Sequence, residues 1–229
     1  MATATNHLID RLPPADRERL LAACEPVELA LSTILCERGE RTAHAYFPTA
    51  AFISLISLVD GHGGVEVGMV GREGMVGAQL ALGVPVSPLR ALVQGPGLAW
   101  RVPAQDLADQ LADSPALREG MAKYLYVLMA QQATAAACLR FHLIDQRLAR
   151  WLLMTQDRAQ SERFHVTQEF LAYMLGVRRV GVTVAASGLQ RDGLIEYHRG
   201  ELTVLDRGAL EKAACSCYAA DSRSYAALL

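Results

Sequence analysis

Between Val27 and Val102 the apolar residues come in short β-prone runs: Thr33–Cys36, Ala45–Phe47, Ala51–Val59, Val65–Val70, Ala91–Val93 and Leu98–Val102. Glycine-bearing breaks at Gly39, Gly61–Gly64, Gly71 and Gly95–Gly97 separate them. Many short strands at this interval predict a sandwich or barrel. Pro14–Cys24 and Pro103–Leu111 flank the region and read as helices. From Leu117 to about His142 the period lengthens to that of a helix, with no glycine or proline after Met121. Met121, Leu125, Leu128, Gln132, Ala135 and Leu139 alternate spacings of four and three there, which is close to the seam of a two-helix coiled coil. Gln132, its one polar member, would fix register and partner number at some cost in stability. The same stripe also suits a helix lying on its own domain.

Beyond this helix the pattern predicts two short helices meeting at a tight turn. Thr167 is a good N-cap, and Phe170, Leu171, Met174 and Leu175 follow at helical intervals. Gly176 stands where the chain must reverse, and glycine takes a left-handed backbone at no steric cost. The second helix would bury Val177, Val182, Ala185 and Leu189, while Arg178, Arg179, Thr183 and Ser187 fall away from that stripe. Ala172 is small where the two helices would cross. A helix-turn-helix presents such an exposed N-terminal set to the major groove, and paired arginines suit guanine edges and phosphates alike. Glu196–Leu205 then reads as two β runs around a His198-Arg199-Gly200 turn, with Phe164-His165-Val166 as their third strand. Together these make a winged module in which Arg199, at the hairpin tip, reaches a phosphate.

The chain has 229 residues, 52% of them hydrophobic, enough for two domains with separate cores. Its formal charge of −2 is unevenly spread. Residues 1–139 hold 10 basic and 14 acidic side chains, and residues 140–229 hold 12 and 10. The positive balance falls in the half with the helix pair, a weak footprint of phosphate binding. No apolar stretch is long enough for a bilayer and the first residues are polar, so neither a membrane span nor a signal peptide is expected, and the location expected is cytoplasmic. Five cysteines, Cys24, Cys36, Cys138, Cys215 and Cys217, fit reduced thiols.

The order of parts resembles the family of the cyclic-AMP receptor protein and the fumarate-nitrate reduction regulator, the Crp/Fnr family. The resemblance runs over almost the whole chain. It is most specific at Phe170–Arg179 with Leu189–Ile195, and again at Tyr46–Pro48 and Val65–Gly77. It implies an α+β chain with a cyclic-nucleotide-binding-like β-roll (jelly roll) over 1–113, a dimerisation helix over 114–142 and a winged helix-turn-helix over 143–229. It also implies a homodimeric regulator on an inverted-repeat promoter in double-stranded DNA, with RNA polymerase as a partner if it activates. Thr167, Arg178, Arg179, Thr183, Ser187 and Arg199 are then the DNA-contacting set. In the best-known members an arginine, a glutamate and a second arginine stand on the reading helix. Arg179 matches the first, but Val180 and Val184 stand at the others, so a different half-site is expected. For the effector pocket the resemblance implies Gly77, Ala78, Gln79, Arg90 and Ala91, with Arg90 as the phosphate arginine. Ala78 or Gln79 occupies the carboxylate position, which argues against cyclic AMP because the ribose loses its acceptor. Arg90 paired with a carboxylate such as Glu73 is the alternative.

No iron–sulfur cluster, haem or other metal site is expected. Cys24 and Cys36 are too few and too far apart for a cluster. Cys215-Ser216-Cys217 supplies two thiols, half a zinc site, with no histidine nearby in sequence, and reads as a tail without a role. His44 and His62 lie in the β-roll, where surface or core positions are the usual reading. No catalytic motif stands out, so an enzyme is not expected. The competing reading is a ligand-binding regulatory module that acts through a protein partner.

Overall fold

A computed structural model describes residues 5–60 and 63–229; positions 1–4 and the Gly61–His62 part of the predicted turn lie outside the described residues. The N-terminal half begins with helices α1 (His7–Asp10) and α2 (Pro14–Ala22). Five strands follow: β1 (Glu25–Leu29), β2 (Ile34–Cys36), β3 (His44–Pro48), β4 (Phe52–Val59) and β5 (Gly63–Val70). A 3-10 helix (Ala78–Leu82), β6 (Arg90–Gly95) and β7 (Gly97–Pro103) complete the roll. Its strands form two antiparallel sheets, ordered β1-β7-β3 and β2-β6-β4-β5. All the strands expected from the sequence are present within a residue or two. The addition is β1, whose polar Glu25-Pro26-Val27-Glu28 lacks apolar alternation; it is an edge strand paired only with β7, a place where proline is tolerated.

Helix α3 (Ala104–Asp113) leads into the long α4 (Pro115–Phe141). Ser114 starts α4, its hydroxyl accepting from the Leu117 amide at 3.0 Å, with Pro115 in the first turn. Leu117, Met121 and Tyr124 of α4 join Phe47, Ile53, Val93 and Leu107 in the core of the roll. The buried Tyr124 hydroxyl donates to the Met75 carbonyl at 3.0 Å, which fixes the helix along the roll.

The C-terminal half contains α5 (Ile144–Ala159), β8 (Arg163–His165), α6 (Gln168–Leu175), α7 (Arg179–Arg191), β9 (Ile195–His198), β10 (Glu201–Val204), α8 (Arg207–Ala213) and α9 (Cys217–Leu228). Helix α5 is an addition to the sequence reading, and most of its circumference is buried, with Leu148, Ala149, Trp151, Leu152, Leu153 and Met154 all covered. Helix α9 packs along α4 and α5, so the expected tail is an ordered helix. Its Asp221 accepts from Arg150 at 2.6 Å with both groups largely shielded.

The second core is not confined to the C-terminal half. Phe52, Ile56 and Met69 of the roll pack with Leu152, Leu171, Met174 and Val182. Tyr173 of α6 lies over Gly63 and Gly64, and a Cβ on Gly64 would come 2.8 Å from its hydroxyl and 2.7 Å from Ile56. A shielded ion pair also ties the halves, Glu73–Arg158 at 2.7 Å, on the loop after β5 and on α5. Burial alone would lower the Arg158 pKa, but Glu73 together with Tyr225 and Asp157 outweighs it and raises it. Among the described residues no single helix is long and apolar enough to cross a membrane.

Candidate nucleic-acid interface

The helix pair is built as its sequence requires. The Thr167 hydroxyl accepts from the Phe170 amide at 3.1 Å, capping α6. Gly176 closes it with φ of 61°, in the left-handed region. Helices α6 and α7 meet at 107°, within the range of helix-turn-helix units. One support was not legible in the sequence. Arg147, buried on α5, donates to the carbonyl of Leu175, an end-of-helix acceptor without an intrahelical partner. Nothing in its local sequence marks it, since its partner lies 28 residues on.

Val182, Ala185, Ala186 and Leu189 hold α7 against the core, and Val177 is only partly covered. This leaves Arg178, Arg179, Thr183 and Ser187 exposed on α7 and its N-terminal boundary. Arg178 is the residue at that boundary and Arg179 the first of the helix, where the backbone amides also favour anions. Neither arginine has an ion-pair partner among the described residues, in contrast to Arg150, Arg158 and Arg207. Thr183 is already engaged: its hydroxyl donates to Gln168 at 2.8 Å across the two helices, so it orients α7 as well as facing outward. The sequence-based set leaves out Val180 and Val184, 67% and 69% exposed between the polar groups. Side chains of this kind suit thymine methyl groups.

The wing is the sheet β8-β10-β9, with Glu201 opposite His198 in the hairpin and opposite His165 in the third strand. Arg199 and Gly200 turn the hairpin with φ of 51° and 88°. Arg199 is exposed at the tip. Tyr197 binds the wing to the rest: its amide donates to Gln190 of α7 at 3.2 Å and its hydroxyl to the Val166 carbonyl at 2.7 Å.

The five residues expected to line an effector pocket do not all come together. A cavity of about 200 Å³ lies between the 3-10 helix and α4, and Gly77, Ala78 and Gln79 line it. Arg90 and Ala91 do not: Ala91 is fully buried in β6, and Arg90 is held by Glu37 through contacts of 2.9 and 3.0 Å. The carboxylate is thus Glu37, and Glu73 is taken by Arg158. Leu125, Leu128, Met129 and Gln132 of α4 close the cavity instead.

The expected seam is also corrected. Met121, Leu128 and Ala135 point into their own chain, while Gln132 and Leu139 are exposed. The outward apolar face of α4 includes Tyr126, Met129 and Ala136, so the stripe is rotated from the sequence reading. A period of 3.5 cannot tell which flank of a helix its own domain takes. The cysteine reading changes most. Cys215 and Cys217 meet Cys138 and His142 from the end of α4, which the sequence places too far away to associate.

Residues 146–213 match the family model for the Crp-like helix-turn-helix domain. No curated protein matches the chain in sequence. Among solved structures, the chain is similar to the c-di-GMP responsive global regulator CLP of Xanthomonas campestris, 17% identical over 85% of this chain and 100% of that one, TM-score 0.70. It is also similar to FixK2 from Bradyrhizobium japonicum, 13% identical over 84% and 98%, TM-score 0.71. A transcriptional regulator of the CRP family from Thermus thermophilus is 21% identical over 82% and 96%, TM-score 0.68.

Proposed function

We propose that this chain, with the fold of the Crp/Fnr-type regulators it resembles and a Crp-like helix-turn-helix domain over residues 146–213, regulates transcription as a homodimer on an inverted-repeat promoter site. The observation that carries this reading is the open N-terminal end of α7, where Arg178 and Arg179 stand exposed, with no ion-pair partner among the described residues, beside Val180 and Val184. The arginines supply bidentate donors to guanine or phosphate, the valines methyl contacts, and Arg199 on the wing a phosphate contact. The exposed flank of α4, through Met129, Gln132, Ala136 and Leu139, supports pairing of two copies, which sets two reading helices on one face of a duplex.

The cavity beneath α4 is the place for an effector. Its lining contains no cation and few polar groups, Gln79, Ser87 and Gln132 among them, so a cyclic-nucleotide phosphate would lack a charged partner there. An uncharged occupant fits better. It would touch Met129 and Gln132 at the edge of the pairing face, a direct route from ligand to dimer geometry.

Selection of bound duplexes from a random library tests the reading. The expected product is an inverted repeat with half-sites one helical turn apart, about 10–11 base pairs. Arg179→Ala should weaken binding to it roughly 10- to 100-fold, the loss of one bidentate contact, while the chain still sediments as a dimer. Enrichment of no sequence, or unchanged affinity of the variant, would overturn the assignment. Binding that does not weaken as salt rises would point instead to an adaptor surface for a protein.

A further inference from the structure

Four metal-ligand side chains converge at the corner between α4 and α5. Cys138 and His142 are one helical turn apart at the end of α4 and share a face, His142 being the residue that caps it. Cys215 and Cys217 flank Ser216, at the N-terminal boundary of α9. The Cys215 amide donates to the Gln146 carbonyl at 3.4 Å, which holds this loop against the first turn of α5. The three cysteines are 2%, 5% and 7% exposed and form a cluster apart from both cores. All five cysteines of the chain are free thiols.

The spacing of the donors is that of one ion. Cys138 Sγ lies 3.5 Å from Cys215 Sγ, and Cys217 Sγ lies 3.6 Å from His142 Nδ1. All four donor atoms are within 4.8 Å of one another. In a tetrahedral zinc site, with bonds of about 2.3 Å to sulfur and 2.0–2.1 Å to nitrogen, neighbouring ligand atoms are separated by about 3.5–3.8 Å. The two short contacts therefore already match two opposite edges of such a tetrahedron, and small side-chain rotations shorten the other four. A cluster of several irons would need its ligands further apart.

We propose that Cys138, His142, Cys215 and Cys217 form a structural zinc site that clamps the start of the C-terminal helix to the α4–α5 corner. Binding replaces three thiol protons, released to solvent, with one Zn²⁺ held by three thiolates and a neutral imidazole. The complex carries one net negative charge, and the guanidinium groups of Arg147 and Arg150 act on the thiols from α5. With all four positions taken by protein, the ion has no open site for chemistry and serves as a cross-link. The junction it closes joins the paired helix to the reading domain, so the ion restrains the angle between them.

The intact chain, purified without chelator from zinc-supplemented cells, should contain one zinc per chain by mass spectrometry of the metal. After zinc removal under reducing conditions, titration with Co²⁺ should give the intense visible bands and thiolate-to-cobalt charge transfer of a tetrahedral sulfur-rich site. Cys217→Ala and His142→Ala should each weaken zinc binding at least tenfold, whereas Cys24→Ala and Cys36→Ala should leave it unchanged. The cobalt spectrum of the unaltered chain does not depend on how well any variant folds. Trace zinc with a weak octahedral cobalt spectrum would overturn the proposal. So would isolation as a Cys138–Cys215 disulfide that takes up no metal once reduced, or equal loss in the Cys24 and Cys36 variants. None of these readouts involves DNA, so the site stands or falls apart from the regulator reading.

Discussion

Gly176 has two tasks at a single backbone position. Its φ of 61° is one that a side chain adopts only at a cost, and a Cβ there would meet Val65 of β5 at 3.1 Å. The first demand is local and legible in the sequence, because a glycine directly between two amphipathic runs marks where one helix must stop and the chain reverse. The second is not, since Val65 belongs to the roll. Gly176→Ala should therefore destabilise the chain by about 1–2 kcal/mol from the left-handed backbone alone, read as a lower urea midpoint. Shortening Val65 to Ala in the same chain should recover only the part due to the contact. If Gly176→Ala leaves the midpoint in place, the turn is not strained in the way its dihedral implies. Arg147 illustrates the opposite case. It looks like any arginine of a helix, yet it is buried and holds the carbonyl that ends α6.

Helix α4 is a long helix, as its sequence predicts, but its faces differ from the prediction. Its apolar residues are numerous enough to serve two surfaces, and spacing alone does not assign them. The roll takes Leu117, Met121, Tyr124 and Leu128, while Tyr126, Met129 and Ala136 face outward, Met129 at 68% exposure. Met129→Lys combined with Leu139→Lys should separate the proposed dimer into folded monomers in a sedimentation experiment at micromolar concentration, since neither side chain supports its own core. Met121→Lys should instead unfold the chain, because it places a charge in the core of the roll. Equal loss of folding in both would mean that the outward face is covered within one chain. Helix α7 shows that an amphipathic pattern is reliable where one face is buried and the other meets solvent. Its inner stripe Val182, Ala185 and Leu189 follows from spacing and is buried. Helix α5, by contrast, is buried over most of its circumference.

At the scale of the molecule, the winged domain is docked on the β4–β5 side of the roll, and ionisable groups sit in the joint. Glu66 of β5 has an Oε2 shielded from solvent without a hydrogen-bond partner. Burial raises its pKa from 4.5 to about 7, against the opposing pull of Ser54, Arg150, Arg158 and Trp151. A carboxyl whose pKa is higher in the folded chain favours folding when protonated. That contribution is complete below about pH 4.5 and disappears as pH rises through about 7, amounting to at most about 3 kcal/mol. Urea midpoints should thus fall between pH 5 and pH 8, and Glu66→Gln should remove most of that fall. A slope unchanged in the variant would assign the pH dependence to other groups. Glu73 and Arg158 hold the same joint as an ion pair.

Residue order alone determined the local features: the strands of the roll, the capped and glycine-ended helix pair, the wing and the exposed arginines at the start of α7. Each depends on neighbours within a few positions, where backbone preference and apolar spacing decide the outcome. Contacts across long separations were left to the tertiary structure. It turned Arg90 away to Glu37, gave Glu73 to Arg158, rotated the outer face of α4 and gathered Cys138, His142, Cys215 and Cys217 at one corner. A side chain's own sequence surroundings do not encode which distant group will be packed against it. That choice follows from how the two cores close on each other.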